Sequence, residues 1–273
     1  VLAEKLELKS KITEGDLGYY IGPCINAAGR IGKSQLAFEL LTENKKNRTE
    51  EIAEELIRNN KVRKTLEEIS YRQAINIIEK ERMLSSNENM FILIENRNWH
   101  PGITGIIASK LLEKFNLPCF IISSYGKKSR GSLRTPYFID ASKLLKRLLD
   151  EHIIISGGGH KLAGGFVIKK ENLKKLREQL FKECKNFSFS KKNYLKIDAI
   201  TDISKINKKF MEELDILGPF GIDNNEPTFV IENVKPLFFK IIGKDKNHIS
   251  CIIEDIYGLK IKAIAFNAIE KKF

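Results

Sequence analysis

Short apolar runs alternate with longer stretches of helical spacing along residues 85–187. Met90–Ile94 and Cys119–Ser123 are rich in β-branched and aromatic residues, which predicts two strands. In Ile103–Phe115 and Ala141–Leu149 the apolar residues recur every three or four positions, which predicts two helices. Strands that alternate with helices are typical of a layered α/β structure, so an α/β domain is predicted here.

Three further elements complete this predicted domain. The apolar runs Ile153–Ile155 and Phe166–Ile168 predict strands on either side of a glycine cluster. The amphipathic stretch Glu171–Cys184 predicts a last helix, and Asp140 is the expected N-cap of the helix that begins at Ala141.

A long, strongly charged helix is predicted ahead of the α/β domain. Thr49 is a suitable N-cap, and a stripe of isoleucine and leucine continues from it to about Glu81. A helix of this length typically connects two parts of a protein, so its charges are expected to face solvent. Before it, Ser34–Leu41 predicts a short helix and Asn26–Arg30 predicts a turn.

The last third of the chain has a different pattern. The polar stretch Asn186–Asn193 predicts a linker, and short β-rich runs separated by turn residues follow it. Such a series predicts a small, mostly-β, OB-like barrel, a common module for binding single strands. The chain ends soon after the fifth run, so an incomplete barrel is expected. The runs are Leu195–Ile197, Phe229–Val234, Phe238–Ile242, Ile249–Glu254 and Leu259–Phe266.

The net charge of +12 is distributed unevenly along the 273 residues. Residues 85–190 carry 18 Lys and Arg against 9 Asp and Glu, a net charge of +9, whereas the segments before and after them carry +1 and +2. This concentration of positive charge favours a polyanionic partner such as nucleic acid. The alternative, a lysine-rich proteome, would raise the lysine content of all three segments.

The sequence also indicates the cellular compartment in which the protein is expected. It contains no apolar run of about 18 residues that could span a membrane, and no secretory signal is recognisable at its start. Its four cysteines are far apart and form no CxxC pair, which argues against a zinc site or a disulfide framework. A cytoplasmic protein is therefore expected.

The most informative motif is Gly157-Gly158-Gly159-His160, which two more glycines follow closely. A backbone without side chains lets a ligand approach and leaves N–H groups free to face an anion. The histidine adds a hydrogen-bond donor. The structural alternative, a glycine-rich turn between two strands with a satisfied histidine, stays open on this motif alone.

Two other segments contain groups that bind phosphate. Residues 130–134, with the sequence RGSLR, combine two guanidinium groups with a hydroxyl, and strand alternation places Ser132 and Arg134 on one side. Residues 99–102, with the sequence WHPG, precede a predicted helix whose N-terminal N–H groups form a ready anion site. The structural alternatives are an exposed basic strand and a helix start fixed by Trp99 and His100. Arg30 could likewise be a surface arginine.

Residues for metal-dependent cleavage are not apparent in the sequence. Its nine aspartates form no Asp-x-Asp or Asp-His-His cluster, and its four histidines are dispersed. Two-metal phosphodiester cleavage needs several carboxylates or imidazoles around ions about 3.5–4 Å apart. No P-loop, GxSxG elbow or reactive cysteine is recognisable either. We therefore expect a substrate-binding part with no catalytic residue and no metal ligand of its own.

Taken in order, five motifs resemble those of the RecJ family of single-strand-specific 5′→3′ exonucleases in the DHH phosphoesterase superfamily. The resemblance covers nearly the whole chain. One departure is Asp223, which stands where the family usually has glycine. The motifs are Gly22-Pro23 through Asn26-Ala27-Ala28-Gly29-Arg30, Trp99-His100-Pro101-Gly102, Gly131-Ser132-Leu133-Arg134, Gly157-Gly158-Gly159-His160, and Pro219-Phe220-Gly221 with Asn225-Glu226-Pro227.

The resemblance implies three domains. Residues 1–84 would be the end of a catalytic DHH domain and a connecting helix, and residues 85–187 a DHH-associated substrate-binding domain. Residues 191–273 would be an incomplete OB-like nucleic-acid-binding domain. The Mn²⁺ or Mg²⁺ that the family uses would be held by a DHH half that lies upstream or is encoded separately, and no residue of this chain is assigned to it.

The resemblance also implies the substrate and the residues that hold it. Single-stranded DNA is the implied partner, and DNA repair and recombination are the implied processes. Trp99 and His100 would support the site. The residues that match phosphate- or DNA-binding positions are Arg30, Ser132, Arg134, Gly157, Gly158, Gly159 and His160.

Two other functions stay open. The chain could be a catalytically inactive fragment that binds single strands without cutting them. It could also be a DHH-type phosphodiesterase of short oligonucleotides, although such relatives as a rule lack the barrel that is predicted here.

Overall fold

The computed structural model describes residues 1–8, 11–81, 83–84, 90–125, 128–185, 195–221, 223–243 and 246–269. The chain divides into two compact units, Val1–Lys192 and Asn193–Phe273, which are described separately. No helix of the described ranges is long and apolar enough to cross a membrane. The predicted linker Asn186–Asn193 lies outside the described residues.

The first unit begins with a helical region and continues into a layered α/β region. A π-helical turn (Leu17–Ile21) joins α2 to α3, and 3₁₀ turns precede α6 (Pro101–Ile103) and α8 (Lys170–Asn172). The helices are α1 (Leu2–Lys5), α2 (Glu14–Asp16), α3 (Gly22–Ile31), α4 (Gln35–Thr42), α5 (Lys46–Lys80), α6 (Thr104–Phe115), α7 (Ala141–Asp150) and α8 (Leu173–Lys185).

The predicted turn at Asn26–Arg30 is wrong, because these residues lie within α3. Ala27 and Ala28 are fully buried, and Ala28 packs in a cluster with Leu56 of α5. Alanine has the highest helix propensity, and its small side chain lets the two helices approach closely. Arg30 is therefore held on the last turn of a packed helix.

The predicted long helix is confirmed as α5, which starts a few residues before Thr49. Its N-cap is Lys45 and not Thr49, and no side chain caps the helix; the carboxylate of Glu43 accepts the backbone N–H groups of Asn44 and Lys45 and so orders the turn that leads into it. The first half of α5 packs on α3 and α4, and its second half packs on α6 and the first strand of the sheet. The helix thus ties the α3 region to the α/β region.

A five-stranded sheet, in the order β1-β2-β3-β5-β4, forms the centre of the α/β region. The pair β1–β2 is parallel and the other pairs are antiparallel. Ile92 packs in a cluster with α6, whereas its neighbour Leu93 packs in a second cluster with α7 and α8, so the two faces carry different helices. The predicted α/β layers are confirmed. The strands are β1 (Ile92–Asn96), β2 (Cys119–Tyr125), β3 (Lys128–Arg134), β4 (Ser156–His160) and β5 (Ala163–Lys169).

The glycine motif is itself a strand, which corrects the prediction of a strand at Ile153–Ile155. Ile153 and Ile154 are buried beneath α7 and do not pair in the sheet, and β4 begins only at Ser156. Lys161 and Leu162 make the turn to β5. Because β4 lies at the edge of the sheet, the glycines border an open edge and not the inside of a turn.

The second unit is mostly β and contains one α-helix among its described residues. Strands β8, β9 and β10 form an antiparallel sheet in the order β10-β9-β8, and β6 pairs with β7 in parallel. The predicted strand Leu195–Ile197 is wrong, because pairing starts only at β6. Helix α9 was not predicted, and the side chain of Asn207 caps it. The elements are β6 (Ala199–Ile200), α9 (Lys208–Asp215), β7 (Phe229–Val230), β8 (Lys235–Ile242), β9 (His248–Glu254) and β10 (Lys260–Ala265).

Candidate nucleic-acid interface

A cleft of about 480 Å³ lies in the first unit where the end of α3, the turn before α6 and the strands β3, β5 and β4 meet. These segments are distant in sequence and come together only through the packing of α5 and α6 against the sheet. The polar groups that line the cleft include Arg30, His100, Thr104, Arg130, Ser132 and Ser156, together with the backbone of Gly157.

Arg30 reaches the cleft through a close contact between two backbones. A Cβ atom on Gly102 would overlap the carbonyl oxygen of Arg30, so this approach requires glycine. The guanidinium of Arg30 donates to the carbonyl oxygen of Gly102 at 3.4 Å and is otherwise exposed. The last turn of α3 is thereby fixed against the 3₁₀ turn that starts α6.

Arg134, the last residue of β3, lies against the first turn of α6. Its Nε donates to the hydroxyl of Ser109 at 3.1 Å, and its Nη1 donates to the carbonyl oxygen of Leu133 at 2.9 Å. A Cβ atom on Gly105 would be 3.1 Å from Nη2, so the guanidinium rests against the first turn of α6. Burial, and then the positive charge of Arg30, lower the pKa of Arg134 from its ordinary value.

The two arginines therefore create an uncompensated positive charge. Neither is paired with a carboxylate in the described part of the chain. The N-terminus of α6, a helix of 12 residues, adds the positive end of its dipole beside Arg134. Like charges held together without a counter-charge are unfavourable, and a bound anion would relieve this cost.

Ser132 adds a hydroxyl to the same place. Its Oγ lies 2.9 Å from the Oγ1 of Thr104, which is buried at the first position of α6. Thr104 donates its one hydroxyl proton to the carbonyl oxygen of Pro101 at 2.9 Å, so it accepts from Ser132 in this pair, and a ligand oxygen would compete with Thr104 for the proton of Ser132. Ser132 and Arg134 both contact α6, which confirms that strand alternation places them on one face.

The structure brings only part of the predicted set into the cleft. Arg30, Ser132 and Gly157 line it, and Arg134 is close enough to Arg30 for the two charges to interact. His160 lies on the edge strand, exposed and outside the residues that line the cleft. Its place in the sheet is nevertheless aligned with Arg134, because Ala163 of β5 pairs with both residues. Gly158 and Gly159 are likewise exposed on β4.

The two predicted supporting residues have different surroundings. Trp99 is buried, and its Nε1 donates to Gln73 of α5 at 2.7 Å, so it anchors the turn before α6 to the long helix. His100 lines the cleft, and its Nδ1 accepts the backbone N–H of Gly102 at 3.1 Å. Both residues therefore stabilise the segment that contacts Arg30.

Arg130 is one of the two guanidinium groups noted in residues 130–134, but it was not predicted as a binding residue, and Thr104 was not singled out. Arg130 is exposed and lines the cleft, two residues before Ser132 on the same strand, so strand alternation places it on the same face as Ser132 and Arg134. Thr104 could not have been found this way, because its contact with Ser132 joins residues that are 28 positions apart.

A metal site does not fit the described residues of the chain. Among them, no group of three or more His, Cys, Asp or Glu side chains is arranged to hold a metal ion. The groups that meet in the cleft are cations, hydroxyls and backbone amides, which bind anions and do not bind a divalent cation. The chemistry of the cleft is therefore anion binding, and no hydrolytic step is assigned to its residues.

Residues 87–186 match the DHHA1 domain family, and residues 197–273 match the RecJ OB domain family. An α/β DHHA1 domain with a cationic cleft, together with a mostly-β OB domain, defines the class of protein. The chain belongs to the RecJ family, and it corresponds to the DHHA1 and OB part of that family.

Relatives of known name support this assignment. The chain is 27% identical over 259 residues to the single-stranded-DNA-specific exonuclease RecJ of Bacillus subtilis, and the match covers 93% of this chain and 32% of the relative. The RecJ of Haemophilus influenzae is 28% identical over 264 residues, which are 94% of this chain and 46% of the relative. The chain thus spans less than half the length of these two relatives.

A solved structure shows the same fold. The crystal structure of Thermus thermophilus RecJ in complex with Mn²⁺ matches with a TM-score of 0.78 and 25% sequence identity, covering 96% of this chain and 37% of that chain. A structure of the same protein in complex with Mg²⁺ gives the same TM-score. Both of these RecJ structures therefore contain a divalent metal ion.

Proposed function

We propose that this chain is the single-stranded-DNA-binding part of a RecJ-type 5′→3′ exonuclease, a metal-dependent hydrolase of DNA repair and recombination. One observation carries the proposal: Arg30 and Ser132 line one cleft, Arg134 lies beside Ser132 at the first turn of α6, and neither arginine has a carboxylate partner in the described chain. A phosphate monoester at the end of a strand matches this set, because it offers a double charge and several acceptor oxygens.

Each group has a distinct role in this proposal. Arg30 and Arg134 neutralise the charge of the terminal phosphate, and Ser132 turns its hydroxyl proton from Thr104 to one phosphate oxygen. Without a ligand, Thr104 accepts that proton and holds the hydroxyl at the start of α6. Trp99 and His100 fix the turn that contacts Arg30, and Gly157, Gly158, Gly159 and His160 line the path of the neighbouring DNA backbone.

The cleaving part of the enzyme is proposed to lie outside the described site. In this proposal residues 1–84 include the end of a DHH domain and the connecting helix, residues 85–187 form the substrate-binding domain, and residues 191–273 form an OB domain that contacts the strand further on. Mn²⁺ or Mg²⁺ would be held by residues of the DHH half, supplied upstream or by a separate chain. The residues described here bind and orient the DNA.

The cysteines support a cytoplasmic location for this protein. All four are free thiols, and three of them are buried. Burial raises the pKa of Cys119 and Cys184, so these thiols stay protonated and unreactive. Free thiols of this kind are typical of a reducing compartment.

The central test is a binding experiment with the purified chain in the presence of a metal chelator. Fluorescence anisotropy would compare a single-stranded oligonucleotide that has a 5′-phosphate with the same strand ending in a 5′-hydroxyl. We expect tighter binding of the phosphorylated strand, weakening steeply as salt is raised. Equal affinities for the two strands, or no binding of either, would contradict the proposal.

A second candidate, a module that binds single strands but does not take part in cleavage, is favoured by the lack of a metal cluster in the described residues. Adding a DHH half from a RecJ protein distinguishes the two candidate functions. Under the leading proposal, the mixture with Mn²⁺ releases mononucleotides from the 5′ end while this chain alone does not. Binding without any gain in cleavage would favour the second candidate.

A further inference from the structure

Three polar side chains lie in the packed interior between α3, α5 and α6. Asn60, Arg63 and Glu67 all belong to α5, and their spacing places them on one face of that helix. Asn60 and Glu67 are each only 8% exposed, and the side chain of Arg63 is 11% exposed. Most of the residues that α5 buries are apolar, so this polar group requires an explanation.

These side chains form a continuous series of contacts from α3 to α6. The amide nitrogen of Asn60 donates to the Sγ of Cys24 in α3 at 3.3 Å, and its Oδ1 accepts from the Nε of Arg63 at 3.0 Å. The guanidinium of Arg63 donates in turn to one carboxylate oxygen of Glu67. The other oxygen of Glu67 lies 2.6 Å from the Nζ of Lys110 in α6. These five residues therefore form a polar link between the two helices.

Each end of the polar link lies on a helix that holds one arginine of the proposed phosphate site. Arg30 lies less than two turns after Cys24 on α3. Ser109, which precedes Lys110 on α6, accepts the hydrogen bond from the Nε of Arg134. A displacement of α3 or α6 along α5 would therefore change the separation of Arg30 and Arg134.

Stability alone does not account for a carboxylate at position 67. Burying a charge is costly, and apolar residues in place of a buried ion pair are often neutral or stabilising. Apolar cores lose their unique arrangement before they lose stability, whereas hydrogen bonds are directional. A fully satisfied polar network makes the packing rigid and specifies one arrangement. Glu67 has a cation at each of its two oxygens, so it can fix where α6 lies along α5.

We propose that Glu67 is a positioning residue that holds α3 and α6 at the separation at which Arg30 and Arg134 bind one phosphate together. The inference rests on the proposed function and goes beyond it, because it assigns a role in phosphate recognition to a residue that does not line the cleft. Glu67 acts on the spacing of the two guanidinium groups, and the two arginines supply the charge that meets the phosphate.

Recognition of the terminal phosphate depends on this spacing more than binding of the rest of the strand does. Charge-assisted hydrogen bonds are about 2.7–2.9 Å long, so two guanidinium groups share one phosphate only within a narrow range of separations. The remaining phosphates of the strand respond mainly to the total positive charge of the protein. A shifted helix should therefore weaken the preference for a 5′-phosphate and change the affinity for a 5′-hydroxyl strand much less.

The test measures the ratio of the dissociation constants of a 5′-hydroxyl and a 5′-phosphorylated single strand, with the full chain and a metal chelator. Glu67→Gln keeps the size of the side chain and removes the charge that holds Arg63 and Lys110. We expect the ratio to fall at least about fivefold, which is about 1 kcal/mol. Lys110→Met breaks the polar link at α6 and changes the net charge in the opposite direction, and it should lower the ratio by a similar factor.

Glu183→Gln is the matched control. The side chain of Glu183 is 12% exposed and lies 2.9 Å from the Nη1 of Arg147, so this pair also joins two helices, α7 and α8. The two helices pack on the face of the sheet opposite to α6. The substitution changes the net charge by the same amount as Glu67→Gln. Both should lower the melting temperature, and only Glu67→Gln should change the ratio.

The outcomes separate this inference from the proposed function. If the unmodified chain shows no preference for the 5′-phosphate, both fall together. If it shows the preference and a folded Glu67→Gln or Lys110→Met variant keeps the full ratio, the positioning role is wrong and the proposed function stands. An equal fall in Glu183→Gln would also overturn the role, because loss of stability would then explain the effect. If Glu67→Gln does not fold, Lys110→Met decides, since the side chain of Lys110 is 45% exposed.

Discussion

On one face of the strands β3, β5 and β4, glycines are enclosed by neighbouring side chains, whereas on the other face they border open space. A Cβ atom on Gly131 would overlap the ring of Phe166 on the packed face, whereas a Cβ atom on Gly158 would meet no atom within 4 Å on the open face. Glycine therefore allows close packing on one face of the sheet and leaves the backbone uncovered on the other. A glycine-rich motif cannot be assigned a role as a whole, because alternate residues of the strand face different surroundings.

The largest effect on binding is expected from a change at the charged end of the open face. Arg134→Ala removes a guanidinium, and hydrogen bonds to charged groups contribute about 1.5–3 kcal/mol, so the dissociation constant for a 5′-phosphorylated strand should rise about 10- to 150-fold. Fluorescence anisotropy measures this change. Arg177→Ala removes an equal charge from the exposed surface of α8 and should leave the affinity unchanged. Similar losses in the two variants would mean that only overall charge matters.

A change on the packed face should affect stability first. Gly131→Ala inserts a methyl group against the ring of Phe166, and overpacking of this kind costs about 1–3 kcal/mol. Urea unfolding followed by the fluorescence of Trp99, the single tryptophan and a buried residue of the first unit, measures this loss. The double variant Gly131→Ala/Phe166→Leu should recover part of it. An unchanged unfolding midpoint in the single variant would show that this face is not tightly packed.

A smaller effect on binding is expected at Ser132, where β3 contacts α6. Ser132→Ala removes one neutral hydroxyl, which contributes about 0.5–1.5 kcal/mol, so affinity for the phosphorylated strand should fall about 2- to 13-fold. The loss should be much smaller for a strand with a 5′-hydroxyl, and the same anisotropy assay compares the two. A larger loss than that of Arg134→Ala would contradict the roles assigned to these residues.

The smallest effect on binding is expected at Arg130, which lies on the open face of β3, two residues before Ser132. Arg130→Ala should reduce the slope of log K against log salt concentration by roughly 0.7, the value for one phosphate contact with a single strand. A titration over several salt concentrations measures the slope. If the slope does not change, Arg130 contacts no phosphate of the bound strand.

The sequence predicted local structure well wherever one pattern dominated. Asp140 was expected to cap a helix, and its side chain accepts the backbone N–H of Lys143 at 3.0 Å at the start of α7. The amphipathic pattern likewise predicted α6 to within one residue. Such signals are local, so no tertiary contact is needed to interpret them.

The prediction failed where burial outweighed the usual preferences of residues. Asn26 and Gly29 suggested a turn, but two buried alanines place them in a packed helix. Ile153 and Ile154 suggested a strand, although they are core residues beneath α7, and the glycines after them form the edge strand. Hydrophobic runs of three residues do not distinguish a strand from a buried loop.

The candidate site could be named from the order of its motifs, but its geometry could not be derived from the sequence. The contact between Arg30 and Gly102 joins residues 72 positions apart. The separation of His160 from the cleft, and the different surroundings of Gly157 and Gly158, follow from strand register, which depends on pairing across β3, β5 and β4.

A crystal structure of this chain with a short 5′-phosphorylated oligonucleotide would show directly where the end of the strand binds. We expect the terminal phosphate to contact the side chains of Arg30, Arg134 and Ser132. A terminal phosphate bound away from these three side chains, in the first unit or in the second, would contradict this expectation.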